Sequence, residues 1–155
     1  MKNRLFVTLT LLSLALSFLF LNCPGAEEQG SAKKILHLGD KSGDTPFSPA
    51  ILIKDTLFIS GQLATNPETG QFEAGTIAQQ AERVITNIEI LLKKAGMNLY
   101  DVVQTTVYIT DFNEFGEFNT VYRKFFPENP PTRATVQVAK LARDAKIEIS
   151  AIAVK

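Results

Sequence analysis

The chain predicts an α+β domain, a mixed β-sheet with two helices packed on one face. Three observations carry that prediction. Short segments of alternating or continuous apolar residues open and close residues 34–155, and two stretches of helical periodicity lie among them. The resulting order is strand, hairpin, helix, strand, helix, strand, strand. A length of 155 residues, with 45% hydrophobic and 21% charged, suits one globular domain.

Lys34-Ile35-Leu36-His37-Leu38 opens the domain as a short strand. His37 is the chain's one histidine and has no cysteine or acidic cluster beside it, so it reads as a strand residue and not as a metal ligand. Gly39 to Ser48 is turn-rich. Ala50-Ile51-Leu52-Ile53 and Thr56-Leu57-Phe58-Ile59-Ser60 form a hairpin about Lys54-Asp55, where Asp55 is the residue that tolerates a positive φ. Gly61 then permits either a close approach of backbone to a ligand or another strand, or a simple bend. Asn66-Pro67-Glu68-Thr69-Gly70 is a turn.

The first helix has a capping box in Thr76 and Gln79, an apolar stripe through Ile77, Ala81, Val84, Ile85, Ile88, Leu91, Leu92 and Ala95, and a stop at Gly96. Its β-branched successor, Asp101 to Thr110, is a strand. Asp111 and Glu114 cap a second helix that turns Phe115, Phe118, Val121, Tyr122 and Phe125 inward and ends before Pro127. Asn119 lies at the edge of that stripe and reads by spacing as a solvated amide.

The last two strands carry the chemistry. In Thr132-Arg133-Ala134-Thr135-Val136-Gln137, alternation sets Ala134 and Val136 on one face and Arg133 and Thr135 on the other; in Ile147-Glu148-Ile149-Ser150-Ala151, Glu148 and Ser150 oppose the isoleucines. If the two strands pair and bury their apolar faces under the helices, Arg133 and Glu148 share the uncovered face. A guanidinium beside a carboxylate suits a small carboxylate-bearing molecule and a water, or else is a surface ion pair. The half-covered sheet calls for self-association, with small-molecule clefts between subunits.

The N-terminus reads as an export signal. Lys2 and Arg4 precede an uncharged run from Leu5 to Leu21, and the chain's one cysteine, Cys23, follows Asn22. Residues 1–22 are thus expected to be a signal peptide. Leu19-Phe20-Leu21-Asn22-Cys23 resembles the lipobox of bacterial lipoproteins, in which the cysteine is lipidated; an uncleaved N-terminal anchor is the other reading. Either expects the protein to be exported and membrane-anchored at the cell envelope. Residues 23–33 read as a flexible tether and 34–155 as the domain. Without Lys2 and Arg4 the remaining 14 basic residues face 16 acidic ones, which gives no electrostatic reason to expect nucleic acid.

Phe47-Ser48-Pro49-Ala50-Ile51, Ser60-Gly61-Gln62, Val103 to Tyr108, Phe118-Asn119 with Tyr122, Pro131 to Val136 and Ile147-Glu148-Ile149 are together similar to the RidA (YjgF) family, in the family's order and close to its spacing. The resemblance implies a chorismate-mutase-like homotrimer with inter-subunit clefts. It implies hydrolysis of enamines and imines, such as 2-aminoacrylate, to 2-keto acids and ammonia, without metal or cofactor. Carried over, Arg133 holds the substrate carboxylate and Glu148 positions or activates water; Ser60 and Gly61 give backbone contacts, and Phe47, Asn119 and Thr135 line the cleft. Phe47 stands where many members have tyrosine, and Thr135 where many have cysteine. A non-catalytic ligand-binding or chaperone-like trimeric lipoprotein, and an endoribonuclease of the L-PSP type, are the alternatives.

Overall fold

The computed structural model describes residues 32–39 and 46–155. The expected signal segment, Cys23 and most of the tether lie outside them.

β1 (Lys34–Leu36), β2 (Ala50–Ile53) and β3 (Thr56–Gln62) form an antiparallel meander, followed by α1 (Ile77–Lys94), β4 (Val102–Ile109), α2 (Phe115–Phe125), β5 (Thr132–Gln137) and β6 (Ile147–Val154). The sheet is six-stranded in the order β1-β2-β3-β6-β4-β5. β6 enters antiparallel between β3 and β4, while β4 and β5 run parallel. A parallel pair needs a crossover of a dozen or more residues, and α2 with its flanking turns supplies it.

This order corrects the expected pairing. β5 and β6 are not neighbours, because the crossover through α2 lays β5 on the outer side of β4 and leaves β4's inner side to β6. The hairpin between β2 and β3 turns at Lys54, which takes φ 52°, rather than at Asp55. β1 stops at Leu36, and the His37 carbonyl beyond it accepts from Lys94 Nζ at 2.9 Å.

α1 begins and ends as its sequence dictates. Thr76 accepts from the Gln79 amide while the Gln79 side chain accepts from the Thr76 amide at 2.9 Å, and Gly96 takes φ 72° at the stop. Its stripe is buried against β3, β6 and α2, facing Leu57, Ile59, Val107, Ile109, Ile147 and Ile149. Each large apolar side chain so buried contributes roughly 1.5–3 kcal/mol.

α2 starts differently from expectation. Asp111 caps a preceding 3-10 turn (Phe112–Glu114) by accepting from the Asn113 amide. Glu114 makes no cap; its carboxylate accepts from Lys146 Nζ at 2.8 and 2.9 Å.

Both helices lie on one face of the sheet. The other face carries Phe58 and Val136 nearly half exposed, with Ile152, Tyr108, Thr106 and Ser150 half-buried beside them.

Candidate functional site

Register places the two expected catalytic residues on opposite faces. Arg133 pairs with Thr105 in the parallel ladder, so its side chain leaves β5 on the side of Thr105 and α2. Glu148 pairs with Tyr108, and Tyr108 with Val136, so the β5 residue level with Glu148 on the uncovered face is Val136. The expectation that Arg133 and Glu148 share the uncovered face is therefore wrong for one chain. The physical reason lies in β5 itself. As an edge strand it turns Ala134 and Val136 away from the helices, and the aromatic stripe of α2 receives Arg133 instead.

That stripe seats the guanidinium. Arg133 Cζ stands 4.6 Å from the ring centre of Tyr122, 5.3 Å from Phe118 and 5.7 Å from Phe115. Ring faces attract a cation without using its N–H groups. Among the described residues no carboxylate forms an ion pair with Arg133. Tyr122 is fixed in turn: its hydroxyl and the buried Thr105 hydroxyl are 2.8 Å apart. Burial pushes the Tyr122 phenol above its ordinary value, against the opposing effects of Thr105 and Arg133, so it stays neutral at physiological pH.

Arg133 opens into a concavity of about 580 Å³ walled by Phe115, Tyr122, Phe126, Pro127, Pro130 and Pro131, with Asn119 and Arg123 on its α2 side. Asn119, read from spacing as a solvated amide, lines this concavity together with Arg133. Thr135 is half-buried two residues along β5 on Arg133's face, paired with Val107.

The second group of residues gathers on the central strands. β3 shifts register against β6 between Ile59 and Gln62, so Ser60 and Gly61 together stand opposite Ser150. Glu148 lies over this bulge. A Cβ added to Gly61 would fall on Glu148 Oε1 and 2.7 Å from Cδ. Of the roles open to Gly61, close approach is the one realised, and the approaching group is a carboxylate from the next strand. Desolvation raises the Glu148 pKa above the ordinary carboxylate value. No ion pair with Glu148 occurs among the described residues.

Ser60 ties down the segment before β2. Its Oγ donates to the Ser48 carbonyl at 2.7 Å and its amide to the Pro49 carbonyl at 3.0 Å. Phe47, 57% exposed, precedes that anchor.

Sequence reasoning missed three features: the ring seat of Arg133, the second arginine in its concavity, and the bulge that brings Gly61 under Glu148. The strand–helix–strand order around α2 was the available signal for the first. A parallel crossover puts the helix over its own two strands, and hence its aromatic stripe over β5.

Comparisons with known proteins agree with this fold. The family described as endoribonuclease L-PSP matches residues 41–155. A RutC family protein of Pyrococcus abyssi is 44% identical over 110 residues, 71% of this chain and 87% of that protein. A human protein named 2-iminobutanoate/2-iminopropanoate deaminase is 40% identical over 110 residues, 71% of this chain and 80% of its own length. The crystal structure of Escherichia coli TdcF with bound serine superposes with a TM-score of 0.71 at 35% identity, covering 78% of this chain and 97% of that one. With its mixed sheet, its two helices on one face and these relatives, the chain belongs to the RidA/YjgF family, also described as endoribonuclease L-PSP.

Proposed function

We propose that the protein hydrolyses 2-imino acids to 2-keto acids and ammonia, in clefts formed between the subunits of a homotrimer. The observation that carries this reading is Arg133, a guanidinium held against three rings that lines a concavity and has no carboxylate partner among the described residues. Such a group can hold a substrate carboxylate through two parallel hydrogen bonds. The human relative's name supports the same substrate class.

Because Arg133 and Glu148 leave opposite faces of one sheet, a complete site draws Arg133, Asn119 and Thr135 from one protomer and Phe47, Ser60, Gly61 and Glu148 from the next. The uncovered apolar face around Phe58, Ile152 and Val136 favours that association. Glu148 accepts a proton from water as the oxygen attacks the carbon of the protonated imine, and the C=N bond becomes a C–N single bond to a neutral amine. Glu148 then returns that proton to the amine. The C–N bond breaks and ammonia leaves as the carbonyl forms, and the hydroxyl proton passes to Glu148 and from it to the departing ammonia. A raised pKa makes Glu148 a stronger base than an ordinary carboxylate, and in the complete site the Arg133 guanidinium is taken by the substrate carboxylate and not by Glu148.

Purified residues 24–155, added to an amino-acid oxidase that releases imino acids, should accelerate ammonia formation, and Arg133→Ala should remove the acceleration. Rates equal to the uncatalysed reaction for both proteins would leave the binding reading in its place. The ribonuclease reading has the family's description in its favour; RNA cleavage that survives Arg133→Ala would establish it. Export and lipidation at Cys23 are proposed on residues 1–23 of the sequence alone, from Lys2 and Arg4, the uncharged run Leu5 to Leu21 and the cysteine that follows it. Palmitate should label the wild type and not Cys23→Ala.

A further inference from the structure

The concavity in front of Arg133 holds a second guanidinium. Asn119 and Arg123 lie one turn apart on α2 and both line it, so an amide and two arginines face the space, with no carboxylate among its lining residues. Arg123 also lacks a helical partner. Its neighbours three and four positions away are Thr120, Asn119, Phe126 and Pro127, none of them acidic. Lys93 on α1 shows the contrast, pairing at 2.9 Å with Glu89 four residues before it. The nearby acid Glu114 is engaged by Lys146.

A cleft built for a monocarboxylate with an apolar side chain needs one cation. A second, without an ion-pair partner among the described residues and set against proline and aromatic walls, repels any other cation and attracts another anionic group. The bland role for Arg123 is a solvated charge in the last turn of α2, favourable to the helix dipole. Lys124 fills the same helical position class without lining the concavity, which makes it an internal control.

We infer that Arg123 is a specificity-determining residue that binds a second carboxylate, so that the site prefers dicarboxylic 2-imino and 2-keto acids, those with an acidic side chain. The inference deepens the proposed deaminase reading and rests on it for the role of Arg133. Arg133 would take the carboxylate next to the reacting carbon, and Arg123 the one at the far end.

The test is calorimetric titration of the trimer-competent protein with 2-oxoglutarate and with 2-oxopentanoate, which have equal carbon counts and differ in the terminal carboxylate. Wild type should bind 2-oxoglutarate about tenfold more tightly, the scale of one charge-assisted hydrogen-bonded contact. In Arg123→Gln the ratio of the two affinities should fall to about one, and in Lys124→Gln it should stay near ten. A wild-type ratio near one, absence of binding by 2-oxoglutarate, or an equal fall in both variants would overturn the inference. Imine hydrolysis measured on the same samples judges the deaminase reading separately: selective binding without turnover sinks that reading and leaves the anion selectivity standing, whereas turnover without selectivity does the reverse.

Discussion

Arg133 and Glu148 both lack a counter-charge in their own chain among the described residues, yet they are secured by different means. Arg133 stands on an edge strand and is held by side chains, the ring faces of α2. Glu148 stands on a central strand and is held by backbone, the gap left at Gly61 in the β3 bulge. The edge half can change its reach by changing residues on α2 without disturbing the sheet. The central half cannot change without disturbing the ladder. On the proposed reading, substrate fit would be the property open to variation on the Arg133 side, and water handling the property fixed on the Glu148 side.

If the halves come from different protomers, two dead variants should rescue each other. Arg133→Ala should lower kcat/KM about a thousandfold through lost anchoring, and Glu148→Gln should lower kcat about a hundredfold. Unfolded together and reassembled in equal amounts, they should regain about a quarter of wild-type activity, because random pairing leaves that share of clefts with both native residues. No regain would mean that each site is contained in one chain.

Gly61→Ala sharpens the central half. The added methyl must displace the Glu148 carboxyl, so kcat should fall about tenfold, whereas stability should change little because the displaced group is the end of a flexible side chain, read by turnover and urea unfolding. Equal activity would show that Glu148 works without that seat.

Glu148 also sets a pH dependence. Burial raises its folded pKa above the unfolded value, so its contribution to stability is full below the unfolded pKa and is lost as pH rises through the folded one. Glu148→Gln should remove that dependence, and its Tm relative to wild type should rise across that window. Wild-type kcat should climb through the same ionisation, at a pH above the ordinary glutamate value. The smallest effect lies outside both halves: Thr76→Ala should cost about 1 kcal/mol in unfolding free energy through its lost cap, with kcat unaltered.

What the sequence determined by itself is whatever local periodicity and caps can fix. α1 runs from its Thr76 box to its Gly96 stop, β6 turns Ile147, Ile149, Ala151 and Ala153 to the core, and the aromatic stripe of α2 is legible residue by residue. The motifs from Phe47 to Glu148 carried the family as well. Only the tertiary structure decided which face Arg133 takes, because an edge strand with Ala134 and Val136 on one side and Arg133 and Thr135 on the other has no strong amphipathic preference. The crossover through α2 resolved it, trading two small apolar contacts for a guanidinium stacked on rings. The bulge at Ser60-Gly61 was equally hidden, since a register shift depends on what the partner strand must accommodate, and here that is the Glu148 carboxylate.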